Sequence, residues 1–184
     1  MSSTYKQFLL YCLKFLGVFA IAYFGTLAWI GLASPGNYYS PFIDHYLDYV
    51  AWMRFSLLHG SKLLLSIFGY ATTTPDAYTL QMVGGRGIHI GYDCIGYGVM
   101  SFWLALMVAN KGSFKTKFIW ILGGSLLLWF INIIRISLFL LSLNKHQTMP
   151  FGIDNHLFFN ITAYAGIFVM IYFYDRRRVK DTGY

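Results

Sequence analysis

The strongest constraint on this chain is a set of apolar runs, at residues 8–33, 94–110, 118–143 and 156–174. A membrane-spanning helix needs about 20 mostly apolar residues, because each adds about 1.5 Å against a hydrocarbon core of about 30 Å. All four runs meet or approach that length. The chain has 184 residues, 57% hydrophobic and 11% charged, so a soluble fold of this size has no way to bury its apolar surface. A soluble enzyme, a disordered tail and a disulfide-rich secreted domain are excluded on the same ground. The expectation is an all-α polytopic membrane protein with about four transmembrane helices, folded as one domain over 1–184.

A fifth stretch, 46–70, is apolar but interrupted by Asp48, Arg54, His59 and Lys62. The basic residues decide how to place it. Lys6 and Lys14 flank the start of the first run, Lys111, Lys115 and Lys117 fill the link between the second and third, and Arg176, Arg177, Arg178 and Lys180 follow the last. Positively charged flanks stay on the cytoplasmic side, so all three clusters belong inside and the number of crossings is even. With these charges assigned to topology, the net charge of +7 makes no case for nucleic acid. Four spans place 34–93 and 144–154 outside, and 46–70 becomes an interfacial or re-entrant helix at the outer leaflet. The first apolar run is too long for a signal peptide and is expected to be a retained anchor. Thr72-Thr73-Thr74-Pro75-Asp76 is expected to be a loop. A short extracytoplasmic β-hairpin follows over 78–92, with strands at 78–83 and 88–92 and a turn at Gly84-Gly85-Arg86-Gly87.

Ionisable residues inside spans are expensive and tend to be functional. Three fall at one expected depth: Cys94 at the start of the second run, Arg135 within the third and His156 at the start of the fourth. Measured from Lys111, Lys117 and Asp175, each stands roughly 17–19 residues up, about 25–28 Å if the helices are continuous. A thiol is a poor nucleophile until its proton is removed or its thiolate is stabilised. His156 can take that proton and return it to a leaving amine. Arg135 can favour the thiolate or hold the oxyanion of a tetrahedral intermediate. A helix N-terminus beneath Cys94 would add a favourable dipole, and Asp93 works against the thiolate unless it points away or pairs with a cation. Together the set suits acyl transfer from a peptide bond through a thioester.

The segments Asp93-Cys94-Ile95-Gly96, Asn132-Ile133-Ile134-Arg135-Ile136 and the one around His156 resemble the exosortase/archaeosortase family of membrane-embedded cysteine transpeptidases. Asn-x-x-Arg-Ile is the most specific match. After the cysteine many relatives carry Ser-Gly, and this chain has Ile95-Gly96. The resemblance covers roughly residues 46–174. It implies an extracytoplasmic Cys–Arg–His triad in the cytoplasmic membrane, no cofactor, and cleavage of a C-terminal sorting signal on exported proteins. Such a signal consists of a short motif, a transmembrane helix and a basic tail; the new carboxyl end passes to an amine or to water.

Each residue also has a plainer role. Cys94 can be packing, Arg135 a salt bridge or an anchor at the headgroups, and His156 a helix cap beside Asp154 and Asn155. Asn132 and Asn160 lie one turn from Arg135 and His156, and can either orient them or bond helix to helix. Arg54 and Lys62 can meet an anionic partner or a substrate carboxylate, although a solvated face is the simpler expectation. The histidines show no metal-ligand spacing, so no metal is assigned. A non-catalytic membrane assembly subunit is the alternative function. A small transporter fits less well, because the ionisable residues ring the outer interface and form no path through the midplane.

Overall fold

The computed structural model describes the backbone of residues 3–36, 38–145 and 155–181, and the side chains of 4–36, 38–144, 161 and 164–176. It is mostly helical, with five α-helices and one small sheet among those residues. In chain order the helices are α1 (Ser3–Ala33), α2 (Tyr49–Ile67), α3 (Tyr97–Ala109), α4 (Phe114–Lys145) and α5 (Asn155–Asp181). Among the described residues two helices are long and apolar enough to cross a membrane, Thr4–Ala33 and Phe114–Asn144. Phe8, Leu13, Ile21 and Phe24 of α1 are all exposed, the outward apolar surface that a lipid-facing helix requires.

The chain divides into two compact units. The first contains residues 1–40, 97–128 and 164–184. Its core gathers Trp103 and Met107 of α3, Leu128 of α4, and Ile167, Met170 and Tyr174 of α5. The Trp103 indole donates to the Trp120 carbonyl at 3.1 Å, and the Tyr174 hydroxyl to the Lys111 carbonyl at 3.0 Å. Gly124 lies so close to the Trp103 ring that a β-carbon there would collide with it. On the α1 side, Phe15 meets Phe102 edge-on and Tyr23 packs on Tyr97.

The second unit contains residues 41–96 and 129–163. It begins with a π-helical turn, Ile43–Leu47, followed by Asp48, whose carboxylate accepts from the Ala51 N–H at 2.9 Å and caps α2. The outer helix therefore starts at Tyr49, later than the expected 46. It stops at Ile67 because Gly69 turns left-handed (φ 80°) and the amides of Gly69 and Tyr70 fold back onto the Ser66 and Leu65 carbonyls. Buried Leu57, Leu58 and Leu65 form one stripe of α2, and Ile133, Ile136 and Leu140 one stripe of α4. Contact between the two helices is close at Gly60, where a β-carbon would strike Ile133. Ser61 donates to the Ile133 carbonyl at 3.4 Å, and the Trp129 indole donates to the Ser56 hydroxyl at 3.0 Å.

The sheet corrects the sequence expectation in two ways. Thr72–Thr73 is a strand, β1, not a loop: it pairs antiparallel with β2 (Thr79–Met82), so the hairpin of β2 and β3 (Gly87–His89) becomes a three-stranded sheet in the order β1-β2-β3. The strands are also shorter than expected, and Tyr92 belongs to the turn that follows. Leu80 and Ile88 face each other across the hairpin and are both buried. At its tip, Asn144 of α4 accepts from the Arg86 N–H at 2.7 Å and donates to the Arg86 carbonyl at 3.1 Å.

The largest departure concerns the second apolar run. A continuous helix from residue 94 is expected, but α3 begins only at Tyr97 and has 13 residues, about 20 Å of helix. Cys94 lies on a separate 3-10 turn, Tyr92–Cys94. The break is Gly96, left-handed at φ 80°, a conformation nearly free for glycine and costly for other residues. The depth estimate for Cys94 therefore loses its continuous ruler, and the dipole argument loses its helix.

Candidate active site

The chemistry-bearing side chains of the second unit meet around the 3-10 turn. Ile90 ends the sheet lead-in, with its N–H bonded to the Tyr78 carbonyl at 2.7 Å. The turn then closes through Cys94 N–H to the Gly91 carbonyl at 3.0 Å and Ile95 N–H to the Tyr92 carbonyl at 3.1 Å. Ile95 is 1% exposed and pins the turn into the core, Cys94 is half-buried, and Asp93 points outward into exposure. Asp93 therefore avoids the conflict with the thiolate that its position in sequence suggested.

Leaving the helix at Gly96 strands the carbonyls of Cys94 and Ile95 outside the α3 ladder. Asn132 supplies their donors. Its side chain is 1% exposed, and Nδ2 donates to the Cys94 carbonyl at 2.9 Å and to the Ile95 carbonyl at 3.1 Å. Its other end, Oδ1, accepts from Arg135 Nη1 at 3.4 Å. Arg135, one turn along α4 and half-buried, lies within electrostatic reach of the Cys94 thiol. One amide thus holds both the backbone of the cysteine and the guanidinium that lies near its sulfur. Gly96 gives this amide room, since a β-carbon there would stand 3.3 Å from Asn132 Nδ2.

His156 lies in the first turn of α5, and its side chain, like that of Asn160, lies outside the described residues. Of the expected site, Cys94, Arg135 and Asn132 are therefore brought together by described contacts.

Arg54 overturns the expectation of a solvated face. It is 5% exposed, and its guanidinium carbon lies 4.5 Å from the centroid of the Tyr78 ring and 4.5 Å from that of Tyr92. Its Nε is buried with no hydrogen-bond partner among the described residues. Lys62, two turns along α2 and half-buried, makes no described contact with this group. His59 is exposed, with its ring Nδ1 donating to the Phe55 carbonyl at 3.0 Å. Tyr78 and Tyr92 were not foreseen as site residues. The available signal was their placement at the two ends of the hairpin, which folds them back towards each other. Beside Tyr78, Asp76 accepts from the Tyr78 N–H at 2.7 Å, which holds its carboxyl below the usual carboxylate range.

No family model, curated protein or solved structure matches the chain.

Proposed function

We propose that the chain is a membrane cysteine peptidase or transpeptidase of the exosortase type, acting on the membrane-anchored C-terminal tail of an exported protein. The observation that carries this reading is the Cys94–Arg135–Asn132 arrangement: a thiol near a fixed cation, with its backbone and that cation held by one buried amide. A packing cysteine needs neither neighbour. The resemblance of Asn132-Ile133-Ile134-Arg135-Ile136 to the family motif supports the same assignment.

In the proposed reaction His156 removes the Cys94 proton and the sulfur adds to the scissile carbonyl. Arg135 favours the ionised sulfur and then the oxyanion of the tetrahedral intermediate. The intermediate collapses as its C–N bond breaks, and His156 returns the proton to the departing amine. A thioester on Cys94 remains, and an amine or water attacks it, giving an amide or a carboxylic acid and regenerating the thiol.

The membrane arrangement we propose has four crossings, α1, α3, α4 and α5, both termini in the cytoplasm, and α2 and the sheet at the outer surface. Irregular backbone at membrane depth is tolerated only where protein groups satisfy it. The two Asn132 hydrogen bonds to the Cys94 turn fit that requirement.

The test is to express the full chain with an exported protein ending in motif, helix and basic tail, and to follow removal of the tail. Cys94→Ala should abolish processing while the protein stays in the membrane, and intact-mass analysis of the unmodified enzyme should find an acyl adduct on Cys94. Normal processing by Cys94→Ala would end this mechanism.

A further inference from the structure

A strand at the edge of a sheet leaves one row of its backbone N–H and C=O groups unpaired, open to pairing with another chain. The order β1-β2-β3 puts β3 at such an edge. The Met82 N–H donates to the Arg86 carbonyl and the Ile90 N–H to the Tyr78 carbonyl, and Ile88 lies opposite Leu80. Residues 86, 88 and 90 therefore turn their backbone groups towards β2, and Gly87, His89 and Gly91 turn theirs away. Among the described residues, the N–H groups of these three and the His89 carbonyl have no hydrogen-bond partner. Two of the three are glycines, so little side chain shields the row. Gly91 keeps an extended backbone (φ −70°, ψ 175°) beyond the end of β3, and a β-carbon there would meet nothing within 4 Å. The row ends at the nucleophile's own turn, because the Gly91 carbonyl accepts from the Cys94 N–H at 3.0 Å.

Resting on the function proposed above, we infer that the free edge of β3 binds the acyl-side segment of the substrate as an added strand, pairing with its backbone and leading the scissile bond to Cys94. The substrate comes from outside and continues into a membrane helix. That is also the course proposed for this chain from β3 through the turn into α3, so the added strand runs parallel to β3. In a parallel pair one residue bridges two alternate residues of its neighbour. One substrate residue accordingly donates its N–H to the His89 carbonyl and accepts from the Gly91 N–H. The residues on either side of it turn their N–H groups away from β3. Neighbouring strands lie about 4.8 Å apart, which brings the peptide alongside the turn that carries the nucleophile. Main-chain bonds of this kind supply affinity whatever the side chains are.

Gly91→Pro tests this, because proline fits φ −70° and removes the N–H, while Gly91→Ala keeps it. Both variants are made in the full-length protein in phosphatidylcholine nanodiscs, and the probe is acetyl-tetraalanyl chloromethyl ketone. Labelling of Cys94 is read by mass spectrometry and divided by each protein's own rate with chloroacetone, the same reactive group without a peptide, which corrects for changes at the turn. Gly91→Pro should label about tenfold more slowly than Gly91→Ala, the effect of one backbone hydrogen bond. N-methylating the probe's alanines one at a time needs no variant to fold. On the wild-type protein it should slow labelling about tenfold at alternate alanines and spare those between. Equal rates for the two variants, or N-methyl losses without alternation, would remove the strand-addition site and leave the nucleophile standing. A wild-type rate no faster than that of chloroacetone would do the same. A dimer that Gly91→Pro dissociates while labelling holds would give the edge to a second copy and overturn the peptide assignment. The proposed function is read separately: normal processing of the exported protein by Cys94→Ala ends that reading and this inference with it.

Discussion

Asn132→Ala isolates the contact on which the site is built. The change removes both donors from the Cys94 and Ile95 carbonyls and the acceptor from Arg135. A buried polar group left without its partner costs about 1–3 kcal/mol. The Cys94 bond is only part-buried and its carbonyl can recover a water, so it belongs near 1; the Ile95 bond is buried and can approach 3. The bond to Arg135, at 3.4 Å, is long and adds little. The turn should therefore open more easily by about 2–4 kcal/mol, which is roughly a 30- to 1000-fold rise in local opening. Amide hydrogen exchange at Cys94 and Ile95, whose N–H groups close the turn, reads this directly. Leu80 and Ile88 in the hairpin serve as internal controls and should keep their protection. Because the nucleophile would no longer be held in place, labelling by a peptide chloromethyl ketone should fall by about 100-fold. A rise in exchange of less than threefold would show that Asn132 does not hold the turn, and the account of the site would fall with it.

Gly96→Ala should lower the melting temperature, because a left-handed alanine costs roughly 1–2 kcal/mol and its β-carbon presses on Asn132. Asn144→Ala should release the hairpin tip, and limited trypsin digestion should then cut after Arg86 at a markedly higher rate. Gly124→Ala should destabilise the first unit by about 1–3 kcal/mol through overpacking against Trp103, measured by thermal unfolding. Asp76, held below the usual carboxylate range by the Tyr78 N–H, contributes stability that is present above the unfolded carboxylate value of about 3.9 and fades as pH falls through the lower folded value. The Tyr78 amide resonance should accordingly move only at the acid end of a titration, and Asp76→Asn should abolish that movement.

The features that sequence reasoning captured are those written in local chemistry. Continuous apolarity marked α1 and α4, and a spacing of three put Asn132 beside Arg135. Two of the misses depend on partners outside the local segment, and a third on a backbone angle. Thr72–Thr73 has no periodicity of its own and is a strand only because Gln81 and Met82 pair with it. Arg54 looked solvated because the rings that flank it come from residues 78 and 92, beyond the end of its helix. Cys94-Ile95-Gly96-Tyr97 reads as the start of an apolar helix, since a glycine within a span is ordinary and its φ is invisible in sequence. The amide of Asn132 was legible as a hydrogen-bonding group, but backbone carbonyls carry no residue label that could name its partners.

The anchoring of the Cys94 turn bears on how a substrate meets this protein. Ordering one residue's backbone removes about 1–2 kcal/mol of conformational entropy. The cysteine is tethered on both sides, by Tyr92 under Arg54 and by buried Ile95, with Asn132 across the top. Its disorder is therefore lost when the chain folds and not when the substrate arrives. Binding meets a nucleophile whose position is already set, so the free energy of substrate contact remains available for bringing the scissile carbonyl to the sulfur.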